Sequence, residues 1–102
     1  MMDAKIKREP GRFFVTINGH DSQLSYSLID GVMDITDVFV HEKHRGEGIA
    51  SELCIAAFGF ARERGFKVMP TCPYVSEKFL PEHQNDKDLV FEGKLFYKAR
   101  KK

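Results

Sequence analysis

The chain has no tryptophan, only two cysteines, and no apolar run near the roughly 18 residues that a membrane-crossing helix needs. Two cysteines allow at most one disulfide, too few for a disulfide scaffold, so stability must come from an ordinary core. Charge of one sign is also missing in excess: sixteen Lys and Arg face fifteen Asp and Glu, a net charge of +1. That balance argues against the broad basic footprint of a dedicated nucleic-acid binder. Proline and glycine are scattered, with no linker composition, and nothing repeats. The opening residues MMDAKIKREPGR lack the apolar stretch of a signal peptide. A cytoplasmic protein with its thiols reduced is the expectation.

What is present is 102 residues, 42% hydrophobic and 30% charged, the composition of a folded domain. One domain, residues 1–102, is expected. About two-thirds of the extended surface can be buried at this size, enough for one core and a shallow ligand site.

The chain reads as strands first and helix later. After a charged opening, Phe13, Val15 and Ile17 alternate with Phe14 and Thr16, the period of a half-buried strand. Asn18-Gly19 and Asp30-Gly31 are tight hairpin signals on either side of a second alternating segment, Leu24 to Leu28. In the third strand, Val32 to Val40, the apolar positions Met33 and Ile35 shift phase to Val38 and Val40, which predicts a bulge beside Asp37. From Gly48 to Arg64 an apolar face of Ile49, Leu53, Ala56, Ala57, Phe60 and Ala61 predicts an amphipathic helix, capped by Gly65. Phe66 to Met69 reads as a short buried strand parallel to the third. Pro73 favours a short helix ended by Pro81, Glu82 to Asp88 reads as polar loop, and Leu89 to Lys102 fits a strand or a basic terminal helix.

The chemistry is concentrated between the third strand and the helix, in VFVHEKHRGEGIA. The free N–H groups of a first helical turn converge on one spot, and the helix dipole adds about half a positive charge there. Gly46 and Gly48 let the backbone approach a ligand closely, and Lys43, His44 and Arg45 add positive potential, so a phosphate or pyrophosphate is the natural guest. GEGIAS lacks the third glycine of the dinucleotide fingerprint, and no Walker sequence is present. His41 and His44 lie three apart, not at the spacing that places two imidazoles one helical turn apart for zinc, so no metal site is expected.

VHEKHRGEGIA resembles motif A of the general-control-type N-acetyltransferase (GNAT) superfamily, whose pattern [QR]-x-x-G-x-[GA] falls on Lys43, Gly46 and Gly48. Lys43 departs from the usual Gln or Arg. The downstream TCPYVSEKFLPEH is similar to small single-domain GNAT-like proteins with a Pro-x-Cys-x-Tyr segment. The resemblance covers about Met33 to Pro81 and implies an α/β (α+β) fold: antiparallel hairpins, a splayed central strand, a phosphate-binding helix and a short parallel strand. It implies acetyl-CoA as cosubstrate and transfer of acetyl to an amine acceptor that the sequence leaves unidentified. Val38, Phe39 and Val40 would pair with the pantetheine arm. Lys43, His44, Arg45, Gly46, Glu47, Gly48, Ile49 and Ala50 would surround the pyrophosphate.

Three side chains are candidates for catalysis. Cys72 could carry acetyl or act as acid or base, or be a small buried hydrophobe. Asp37 stands where small relatives carry His in a His-Thr-x-Val run, and a carboxylate base has an ordinary pKa over two units lower. Tyr74 could protonate the departing thiolate or be a half-buried core residue. Cys54, inside the apolar helix, reads as packing. The family's helices between its first strands have no room here, so the acceptor side is expected to be open and to suit a macromolecular amine. Two rivals remain: a CoA-binding module without transfer, and an RNA-associated protein using the basic tail Lys94, Lys98, Arg100, Lys101 and Lys102.

Overall fold

A computed structural model describes residues 5–93. Five strands form one sheet in sequential order: β1 (Lys7–Glu9), β2 (Arg12–Ile17), β3 (His20–Ile29), β4 (Val32–Phe39) and β5 (Lys67–Pro70). The first three junctions are antiparallel, and β4 and β5 run parallel. Both two-residue turns take positive φ throughout, 51° and 81° at Asn18-Gly19 and 50° and 78° at Asp30-Gly31. This is the mirror-image turn whose twist suits a hairpin. The charged opening contains a strand that alternation could not reveal: Lys7, Arg8 and Glu9 are all exposed, and their charges guard the sheet edge.

Helix α1 (Ile49–Arg64) lies on one face of the sheet. Its Ile49, Leu53, Ala57, Phe58 and Ala61 are buried against Phe13, Leu24, Tyr26, Met33 and Ile35. Each of the larger ones, Ile49, Leu53 and Phe58 on the helix and Phe13, Leu24, Met33 and Ile35 on the sheet, contributes about 1.5–3 kcal/mol when fully buried. Phe58, rather than Phe60, is the fully buried aromatic of the helix. Phe60 packs at the margin, its ring 5.6 Å from Phe13.

Beyond β5 the chain is more helical than its sequence suggests. A helical turn begins at Pro73 and becomes a π-helical turn over Val75–Phe79. Pro81 does not end it. It sits in the first turn of a 3-10 segment, Leu80–Glu82, where a missing N–H costs nothing. The expected polar loop is largely a second 3-10 segment, Gln84–Leu89, held by Arg62, whose guanidinium bonds Asp86, Asp88 and the Asn85 carbonyl. Val90 then makes a single parallel bridge to Val68. Phe91 to Gly93 follow without strand or helix, and the remainder of the expected terminal element, with the basic tail, lies outside the described residues.

Candidate functional site

The site arises where β4 and β5 part. Their parallel register ends at Ile35 and Pro70, and the Cys72 N–H still reaches the Ile35 carbonyl at 2.9 Å. Beyond that point β4 continues to Phe39 paired only with β3. The ladder with β3 jumps from Tyr26 opposite Ile35 to Ser25 opposite Asp37, leaving Thr36 as an extra residue. This bulge restores the phase, so Val38 faces the core beside Leu24 while Asp37 is exposed on the face away from α1. The edge of β4 from Asp37 to Phe39 therefore presents backbone groups without a neighbouring strand.

The chain after β4 is held from both sides. The His41 N–H donates to the buried Ser22 hydroxyl at 2.9 Å, and Arg45 Nε donates to the Val40 carbonyl at 3.1 Å. A 3-10 turn, Glu42–His44, is capped by His41, whose Nδ1 accepts from the Lys43 N–H at 3.2 Å. Gly46 and Gly48 then take left-handed φ of 85° and 81°. A Cβ added at either would meet no protein atom within 4 Å, so backbone conformation alone, not crowding, calls for glycine. The first bond of α1 runs from the Glu52 N–H to the Gly48 carbonyl, and no side chain caps the helix. The N–H groups of Ile49, Ala50 and Ser51 thus lack intrahelical acceptors and carry the positive end of the dipole.

A cavity of about 420 Å³ joins the two features. Its walls are Val38, Phe39 and Val40 on the strand side and Gly46, Gly48, Ile49 and Ala50 at the helix start. His44 and Arg45 complete the loop wall. Tyr74, from the turn after β5, closes another side, and burial foremost holds its hydroxyl above the ordinary tyrosine pKa. Ser51 also lines the cavity; its place in the first helical turn was the signal that could have included it.

Four expected residues do not reach this wall. Lys43 and Glu47 are exposed on the loop outside the lining, and Asp37 is turned away by the bulge. Cys72 is buried where the strands part and is not among the lining residues. Cys54 is fully buried, and loss of solvation pushes its thiol up to about 12, so it stays protonated. Among the described residues no group of three or more His, Cys, Asp or Glu is arranged to hold a metal ion, and no helix is long and apolar enough to cross a membrane.

The fold matches that of a GCN5-like protein from Staphylococcus aureus, solved by NMR in solution, with a TM-score of 0.69. The match covers 98% of this chain and 100% of the other, at 18% identity. The sequence profile of the GCN5-related N-acetyl-transferase family matches residues 12–89, most of the chain. The protein belongs to that family.

Proposed function

We propose that the protein binds acetyl-CoA in the cavity between β4 and α1 and transfers the acetyl group to an amine. The observation that carries this reading is the junction of an uncapped helix N-terminus with an unpaired strand edge in one cavity. The first supplies donors for a pyrophosphate, and the second a ladder for the amide groups of a pantetheine arm. Bound acetyl-CoA supplies the activated thioester. The backbone N–H of Phe39 or Val40 polarises its carbonyl. As the acceptor nitrogen forms the new C–N bond and the C–S bond breaks, Tyr74 donates its proton to the leaving sulfur, and the nitrogen's proton passes to solvent or a base. Cys72, buried and outside the lining, and Asp37, exposed on the other face of β4, take no part in this step.

Acetyl-CoA at millimolar concentration is expected to raise the melting temperature, and Gly46→Glu to abolish that rise. With lysine-rich peptides or polyamines, Tyr74→Phe is expected to lower kcat about 100-fold with acetyl-CoA affinity unchanged. The absence of Asp37 and Cys72 from the cavity lining favours a second reading, a CoA-binding module without turnover. Binding without transfer above background, unchanged by Cys72→Ala, would establish it.

A further inference from the structure

Three histidine rings meet beside the cofactor loop. His20, in the strand that leaves the β2–β3 turn, stacks on His41 with centroids 4.1 Å apart, and His44 lies 5.9 Å from His20 and 6.2 Å from His41. His44 is only 8% exposed, yet it lines the cavity. Its Nε2 is 3.3 Å from the Ile17 carbonyl, and its Nδ1 is 3.7 Å from Glu47 Oε1. A carbonyl can only accept, so Nε2 carries a proton. In the neutral ring, Nδ1 then turns a lone pair toward a carboxylate, two acceptors face to face. A second proton removes that conflict, satisfying both nitrogens and placing a positive charge at the wall where the uncapped helix begins.

The neighbouring rings are poorly placed to do the same. His41 Nδ1 already accepts the Lys43 N–H, so protonating it would break the cap of the 3-10 turn. His20 is held below the ordinary histidine pKa, by lost solvation first and then by the charges of His41, Lys43 and His44. Around His44 stand His20 from β3 at 5.9 Å and, from its own loop, His41 at 6.2 Å and the Glu47 carboxylate at 3.7 Å, while the Arg45 guanidinium belongs to the same cavity wall.

We propose that His44 is a proton-linked anion-binding residue: an incoming pyrophosphate and Glu47 together favour the doubly protonated ring, so cofactor binding takes up a proton at this side chain. This rests on the cofactor reading above. Linkage sets the sign. If the complex holds the proton more tightly than the free protein, affinity rises as pH falls.

The probe is dephospho-CoA, which keeps the pyrophosphate but lacks the 3′-phosphate monoester whose own ionisation near pH 6 would confuse the profile. The wild-type Kd is expected to fall about three- to tenfold from pH 8 to pH 6, with proton uptake visible as a buffer-dependent heat in calorimetry. His44→Gln keeps a donor for Ile17 but cannot be charged, and should make the profile flat. Glu47→Gln, at an exposed position, should move the rise to lower pH, and His20→Asn should leave it in place. A rise that persists in His44→Gln, one that disappears in His20→Asn, or a flat wild-type profile would overturn the proton linkage while leaving cofactor binding intact. Absence of binding by the wild-type protein at any pH, to either CoA or dephospho-CoA, would overturn the cofactor reading and the linkage with it.

Discussion

At its C-terminal end α1 is finished by its own chain. Gly65 adopts φ 77°, its N–H reaches back to the Ala61 and Arg62 carbonyls, and the Phe66 N–H adds a further bond to Ala61. At the N-terminal end Gly48 has nearly the same backbone, φ 81°, but no side chain caps the turn and a cavity lies beside it. One residue type in one conformation thus serves opposite ends. Where the chain supplies its own N–H donors to the last helical carbonyls, the helix stops and is sealed. Where it supplies no acceptor for the first N–H groups, donors are left for something outside the chain.

The bluntest way to erase the difference is to loosen the helix itself. Phe58 is buried mid-helix with its ring 5.2 Å from Phe79, and Phe58→Ala is expected to cost about 3–5 kcal/mol in denaturant unfolding. A cost below about 1 kcal/mol would mean that this contact does not anchor the helix.

A sharper comparison substitutes alanine at each end. Gly48→Ala and Gly65→Ala both force a side chain into left-handed backbone with no atom within 4 Å of the new Cβ. Each should therefore lose roughly 1–2 kcal/mol of stability. Only Gly48→Ala should also weaken acetyl-CoA binding, by about tenfold or more. Equal binding by both variants would place the ligand elsewhere.

The smallest effect concerns the sealed end. Arg62 reaches Asp88 at 2.9 and 3.0 Å, and its hydrogen bond, first among the causes, holds the Asp88 carboxyl below the usual value. The folded value is the lower one, so this contribution is complete above about pH 4 and fades as pH falls through the folded value. Both groups are exposed and screened by salt. Arg62→Gln should lower the melting temperature slightly at neutral pH and low salt, with the gap to wild type closing in acid or at high salt.

Much of this arrangement could be read in the sequence because it rests on local rules. Asn18-Gly19 and Asp30-Gly31 specify their turns, the period from Ile49 to Ala61 specifies the helix, and the phase shift after Ile35 marks the bulge. Segments whose structure depends on distant partners were not legible. The Gln84–Leu89 turn rests on Arg62, more than twenty residues earlier in the chain, and β1 has no buried face to give it a pattern. Within the site the same division holds. The glycines and the strand reach the cavity as expected, whereas the burial of His44 depends on a carbonyl in another strand, and the position of Cys72 on where two strands part.

Thr36 carries a consequence of its own. Without it, Met33, Ile35, Val38 and Val40 would alternate without interruption, and Ile35, Asp37 and Val38 would sit opposite Tyr26, Ser25 and Leu24 in an unbroken ladder. The extra residue makes β4 a poorer strand than its neighbours in sequence would allow. A chain lacking only that residue is expected to melt at a higher temperature and to bind acetyl-CoA less well, because a straighter β4 could stay alongside β5 for longer. A one-residue insertion, an event of gene length rather than of side-chain chemistry, would then separate a well-made sheet from a binding site.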